Sequence, residues 1–240
     1  MSDVVYLDHA ATTPVRPEVV EAMLPFLGDR FGNPSGAHRL ARDARRALDE
    51  ARAEVAACLD RGPGEVIFTS GGTEADNLAV LGTVAAAEVP GATAVCSAIE
   101  HHAVLHPMES LGGRTVDVDS RGLVDLDHLA AILDELGDRA AIVSVIAANN
   151  EVGTIQDLAA VAAVVRRHVP GAAFHSDAVQ AARYTDVASL TAPCDLVTIT
   201  AHKIGGPKGV GALVARHDTP LRPRVLGGGQ ERDRRSGTQD

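Results

Sequence analysis

Short runs of β-branched and aliphatic residues alternate with longer amphipathic stretches through most of this chain. No other feature restricts the fold as much. "EVIFTS" (65–70), "TAVCSAI" (93–99), "RTVDVD" (114–119), "AAIVSVIAA" (140–148), "AAFHSD" (172–177), "DLVTIT" (195–200) and "GVGALVA" (209–215) have strand composition. "TEADNLAVLGTVAAAE" (73–88), "DLDHLAAILDEL" (125–136) and "IQDLAAVAAVVRRHV" (155–169) lie between them, with apolar residues at turn spacing. "HHAVLHPMESL" predicts a short helix interrupted by Pro107. Strand and helix in repeated alternation give an α/β fold, a mostly parallel sheet with helices on both faces. Hydrophobic residues are 45% of the chain but aromatics only 2%, with no Trp. The core is therefore expected from Ala, Val, Leu and Ile.

The first ~40 residues break this rhythm. "YLDHAATTPVRPEVVEAM" has a short apolar start and turns helical after Pro17, "FGNPSGAHR" (31–39) is an exposed loop, and "LARDARRALDEARAEVAACL" (40–59) is a helix with a solvated charged face. A net charge of -10 opposes broad nucleic-acid binding. Cys58, Cys96 and Cys194 are odd in number and widely spaced, against a disulfide framework or a zinc site, and all three are expected as buried structural thiols. "MSDVVYLDHA" lacks the pattern of a signal peptide, and no apolar run reaches membrane-spanning length. The expectation is a cytoplasmic protein with no membrane contact and no direct nucleic-acid contact.

Polar residues gather after the strands, in "SGGTEADN", "EHHAV", "NNEVG", "DAVQ" and "AHKIGG". In parallel sheets ligands sit beyond the carboxyl ends of the strands, so five such clusters predict one large site built from several loops. Gly71, Gly72 and Thr73 open a helix, where free N–H groups attract an anion, although a plain glycine turn with a Thr N-cap accounts for the same residues. The stretch matches neither G-x-G-x-x-G nor a Walker-type loop. Asp177 ends a buried strand and needs a cationic partner, or it caps a helix; Gln180 follows at helical spacing. Lys203 follows "DLVTIT" with only His202 as polar neighbour and Gly205–Gly206 beyond it. It is either a solvated charge or an amine made nucleophilic by desolvation. His101 is a cap or a ring that stacks on a flat cofactor, and Asn149 and Asn150 satisfy a loop or bind a ligand. An anion cradle, a carboxylate partner for a ring nitrogen and a Schiff-base amine together match the needs of pyridoxal phosphate.

The sequence resembles the NifS/IscS-like cysteine desulfurases of the class V aminotransferases. "YLDHAATTP", "FGNPSGAH", "TSGGTEADN", "EHHAV", "NNEVG", "HSDAVQ", "AHKIGGPKGVGAL" and "GGGQERDRRSGTQD" carry the resemblance, in family order from residue 6 to residue 240. His9 departs from the Asn found in many members. The resemblance implies the large domain of a fold-type I transferase that binds pyridoxal 5'-phosphate, over residues 16–240. Residues 1–15 would pack with a C-terminal small domain expected beyond Asp240, leaving that segment poorly anchored here. By resemblance Lys203 bonds the cofactor, Asp177 partners its ring nitrogen, Gln180 its ring hydroxyl, and His101 stacks on the ring and moves protons. Gly72, Thr73, Thr200 and His202 match phosphate contacts, and Asn150 the contact to ring hydroxyl and substrate carboxylate. Thr238 matches a residue that reaches the partner subunit's phosphate in a homodimer. The implied reaction takes L-cysteine to L-alanine and passes sulfur to an enzyme cysteine, then to an acceptor such as an iron–sulfur scaffold or a tRNA-thiolation protein. The nucleophilic cysteine and a substrate-binding arginine belong to the small domain, so the chain is expected to be truncated before them. A related lyase or transaminase, or a catalytically incomplete remnant that only binds or dimerises, are the alternatives.

Overall fold

The computed structural model describes residues 4–240; the first three residues of the 1–15 segment lie outside the described residues. Seven strands form one sheet: β1 (Val66–Thr69), β2 (Thr93–Ser97), β3 (Arg114–Val116), β4 (Ala140–Ser144), β5 (Ala173–Asp177), β6 (Leu196–Thr200) and β7 (Gly211–Ala215). Their order is β1-β7-β6-β5-β4-β2-β3. β7 is antiparallel to both neighbours, and the other pairings are parallel. The carboxyl ends of β1, β2, β4, β5 and β6 therefore meet on one edge, where the polar clusters lie.

The helices among the described residues are α1 (Pro17–Met23), α2 (Arg39–Cys58), α3 (Gly72–Ala86), α4 (His102–Ser110), α5 (Leu126–Leu136), α6 (Leu158–His168), α7 (Ala181–Tyr184) and α8 (Val187–Thr191). They cover both faces, and strand alternation divides the core accordingly. Ile67, Cys96, Ile142, Leu196 and Leu213 pack with Ala75, Leu78 and Ala79 of α3 and Val104 and Met108 of α4. Their chain neighbours Val66, Val95, Val143, Val197 and Val214 join Phe174 and pack on the opposite face with α2, α5 and α6. α5 begins at Leu126, directly after its N-cap Asp125, and α6 at Leu158, about one turn later than the sequence pattern suggests, because Asp157 serves as its N-cap.

Three local expectations change. Pro107 lies inside α4 without ending it. A proline at that position leaves the Ala103 carbonyl without its helical donor, and Asn77 Nδ2 donates to that carbonyl at 3.3 Å. β4 stops at Ser144 rather than residue 148, although Val145 and Ala147 still donate their N–H groups to His175 and Asp177 carbonyls. Cys58 is exposed, because it falls off the α2 stripe that buries Ala41, Ala44, Arg52 and Ala56; Cys96 and Cys194 are buried as expected.

Residues 4–16 divide in two. Val4, Val5 and Leu7 expose their side chains. The following strip is tied to the loop after β6: Thr13 donates its N–H and its hydroxyl to the His202 carbonyl at 2.9 and 2.8 Å and accepts the Gly205 N–H at 2.9 Å. The Arg16 N–H donates to the Gly205 carbonyl at 2.9 Å. Gly205 has φ +86°, and a Cβ there would stand 2.6 Å from Arg16 Cγ, so this close approach requires glycine. Poor anchoring of "YLDHAATTP" is thus confined to its start.

Candidate active site

The strand ends enclose a cavity of about 560 Å³ lined by Gly72, Thr73, His101, Asn150, Asp177, Gln180, Thr200, His202 and Lys203, with Asp76, Asp8 and others. Of the residues read from the sequence as site candidates, Gly71, Asn149 and Thr238 are not on this lining, and Thr238 is exposed near residue 240.

The first wall is the turn between β1 and α3. Gly71 takes φ 156° ahead of the helix, and no side chain caps α3. The early N–H groups of α3 are thus left for an anion at the cavity wall. The turn needs its glycines: a Cβ on Gly211 of β7 would lie 2.5 Å from the Gly71 carbonyl carbon. Glu74 accepts the Ser70 N–H at 2.8 Å and pairs with Arg235 at 2.7 Å, which braces the turn from outside. Thr200 is 2% exposed and gives its hydroxyl proton to the Val210 carbonyl at 3.1 Å. His202 Nδ1 is 3.2 Å from Thr12 Oγ1.

Lys203 stands opposite. Its Nζ donates to the Ala10 carbonyl and, at 3.0 Å, to the Ala11 carbonyl. Gln180 Nε2 shares the Ala10 carbonyl at 2.8 Å. Burial lowers the affinity of Lys203 for its proton, while Asp177 and Asp8 oppose that effect. Lys203 is therefore a partly desolvated amine in a cavity, not a solvated charge after a strand.

Asp177 is 4% exposed and accepts the Val179 N–H at 2.9 Å. Burial raises its pKa to about 6, against that hydrogen bond and the charge of Lys203. His101 takes the cap weighed for it and also a place on the cavity lining. It caps α4 through Nδ1, which accepts the Ala103 N–H at 3.1 Å, and it lines the cavity. Burial, then the charges of His102 and Lys203, depress its pKa, so the ring is neutral near pH 7. The two asparagines separate. Asn149 satisfies the loop, donating to the Ile99 carbonyl and accepting from Glu151 and Val152, while Asn150 lines the cavity.

Sequence reasoning missed two buried carboxyls here. Asp76 on α3 is 1% exposed and lines the cavity. Glu100 follows β2, is buried, and accepts the Ile146 N–H at 2.6 Å and the Ser97 hydroxyl at 2.5 Å. Burial drives the Glu100 pKa up to about 8 despite those donors. For Asp76 the signal was present: a carboxylate in the helical stripe of Ala75, Leu78 and Ala79 has no solvent to face. The carbonyls of Ala10 and Ala11 carried no such signal.

Comparison with known proteins places this arrangement. Residues 5–239 match the family described as aminotransferase class-V. The chain is 43% identical over 241 residues to the cysteine desulfurase IscS of Dictyoglomus turgidum, covering 98% of this chain and 60% of that protein. A solved NifS-like protein superposes with a TM-score of 0.92 at 39% identity, covering 98% of this chain and 65% of its own. SspA, solved in complex with cysteine, superposes with a TM-score of 0.89 at 33% identity, covering 98% of this chain and 69% of that one. The chain spans about 60% of the length of the curated relatives it matches.

Proposed function

The chain belongs to the class-V aminotransferase family, and from that membership we propose that it is the cofactor-binding large domain of a cysteine desulfurase. The reaction is L-cysteine to L-alanine, with sulfur passed to an enzyme cysteine and then to an acceptor. The family uses pyridoxal 5'-phosphate, and the residues present fit that group. The uncapped start of α3 suits its phosphate, the buried Asp177 carboxylate suits a protonated ring nitrogen, and Lys203 offers an amine in the same cavity. That convergence on one cavity is the observation that carries the reading.

When bound, pyridoxal phosphate supplies an aldehyde that bonds to amines and a ring that takes up the electron pair left at an α-carbon. The protein's part is binding, orientation and proton handling. Gly72, Thr73, Thr200 and His202 hold the phosphate, and Thr238 reaches the partner's phosphate in a homodimer. Asp177 keeps the ring nitrogen protonated, and Gln180 and Asn150 fix the ring hydroxyl side. Lys203 Nζ and the His101 ring would carry the protons, and burial weakens the hold of each on its proton. The sulfur step needs a thiolate within reach. Cys58 is exposed on α2, burial pushes the Cys96 thiol far up and the Cys194 thiol to about 12, and none of the three lines the cavity.

Residues 16–240 are the cofactor-binding unit, and residues 1–15 a strip that also serves a small domain. A sulfur acceptor in iron–sulfur assembly or tRNA thiolation is the proposed partner, and the relative solved with cysteine supports the substrate. No helix among the described residues is long and apolar enough to cross a membrane. Three free cysteines suit a reducing cytoplasm.

Amino-acid profiling of the cofactor-loaded protein tests the reaction class. Alanine and persulfide from L-cysteine are expected once a thiol-bearing small domain is supplied. Transfer of the amino group to a keto acid instead would overturn the desulfurase reading. The 240-residue chain alone is expected to form no persulfide, and sulfide release from L-cysteine by it would contradict that expectation.

A further inference from the structure

Asp76 has no part in the roles above, yet its surroundings are specific. Its Oδ1 is buried and has no hydrogen-bond partner among the described residues, and it lies 3.7 Å from His175 Nε2. A line of buried polar groups runs behind it across three adjacent strands. Ser144 Oγ on β4 is 2.8 Å from His175 Nδ1 on β5, and His175 Nε2 is 3.1 Å from Thr198 Oγ1 on β6. Ser144, His175 and Thr198 are at most 1% exposed. Sheet register produces this line: Ser144 is paired with His175, and Thr198 with Asp177. His175 and Asp177 are two residues apart on one strand, so both face α3, where Asp76 sits.

The groups facing Asp76 supply no counter-charge. β5 presents His175, whose complete burial disfavours the imidazolium, and Asp177, an acid. The loop after β2 presents Glu100, another acid. The nearby cation is Lys203, beyond β6, and its charge bears on Asp177. Three carboxyls buried beside one another cannot all ionise.

We propose that Asp76 is a positioning residue held as a neutral carboxylic acid by its burial, its unpartnered Oδ1 and the acid beside it, so that of the two buried carboxyls on the cavity wall only Asp177 carries charge. The ligand this arrangement selects is a protonated nitrogen heterocycle with one cationic edge. That choice of ligand rests on the cofactor reading above; the charge state of Asp76 does not. The direction of the Asp76 pKa agrees, raised well above the usual carboxylate range by burial and by Asp177. The unpartnered Oδ1 is the place for the proton.

Carboxyl carbon NMR of the protein labelled with 13C at the aspartate side chain, without cofactor, reads this directly. At pH 7.5 one aspartate resonance is expected at the neutral-acid position, and Asp76→Asn is expected to remove that resonance and no other neutral one. Aspartate resonances all in the ionised position in the wild-type protein would overturn the proposal, whether or not the variant folds. His175→Asn, which removes the ring 3.7 Å from Oδ1, is expected to leave the neutral resonance in place; its loss there would show that the ring and not burial holds the proton, and would overturn the proposal. Adding pyridoxal phosphate then separates the two readings. Absence of binding would count against the cofactor, while the NMR result would stand on its own.

Discussion

Glu100 shows what a single buried acid does to this molecule. Its native pKa of about 8 lies above the ordinary 4.5, so the folded chain holds more protons than the unfolded chain between those values. Stability contributed by that proton is present at low pH and is lost as pH rises through the window, by about 1.4 kcal/mol per pH unit. His175 acts at the other end. Burial depresses it from 6.5 to about 3, so stability falls as pH drops through that interval. Glu100→Gln keeps an acceptor for Ile146 and removes the titration. Urea denaturation of this variant is expected to show a flatter slope between pH 5 and 8 and greater stability than wild type at pH 8; an unchanged slope would refute the assignment. Lys203, Asp177 and His101 were legible in the sequence because each ends or closely follows an apolar run. Glu100 was not, and Asp76 was passed over although its place in an apolar helical stripe marked it, because motif reading assigns roles to the residues beside them. Whether a carboxyl is stranded depends on strands that meet only after folding.

At the scale of elements, every strand and long helix was legible, since the period-2 and turn-spaced patterns act locally. What escaped was tertiary rescue, as where Asn77 satisfies the carbonyl freed by Pro107. The segment after β7 is the larger example. Glu231, Arg232 and Asp233 take positive φ values of 48°, 58° and 62° in succession, a conformation that costs non-glycine residues energy. A buried pair holds it. Glu231 accepts two 2.7 Å bonds from Arg52 on α2 and the Phe68 N–H at 2.9 Å. Removing Arg52 strands a buried carboxylate, at a cost of about 3–5 kcal/mol. Arg52→Met is therefore expected to lower stability by that order and to open residues 225–240 to limited proteolysis before the sheet unfolds. Simultaneous loss of both would show that the segment is not separately held.

The whole molecule is a sheet that gathers one edge of chemistry, with an N-terminal strip laid across the lysine loop. Val4, Val5, Leu7, Leu27, Phe31 and Leu226 remain exposed, more large apolar side chains than a solvated surface needs. With Thr238 exposed and off the lining of its own cavity, this suits the proposed homodimer. Sedimentation equilibrium is expected to give twice the mass of one chain, and a monomer at micromolar concentration would contradict it. The sheet was legible as a class, and so was the edge that carries the site. The attachment of residues 8–16 was not, because backbone carbonyls and two threonines make it.

The function proposed for this chain turns on Lys203 as the cofactor's covalent anchor. Reconstitution with pyridoxal phosphate, reduction with borohydride and peptide mapping test that role at the residue itself. One phosphopyridoxyl label is expected, on Lys203, with its loss in Lys203→Ala. A label on Lys208, or none on a folded chain, would contradict it.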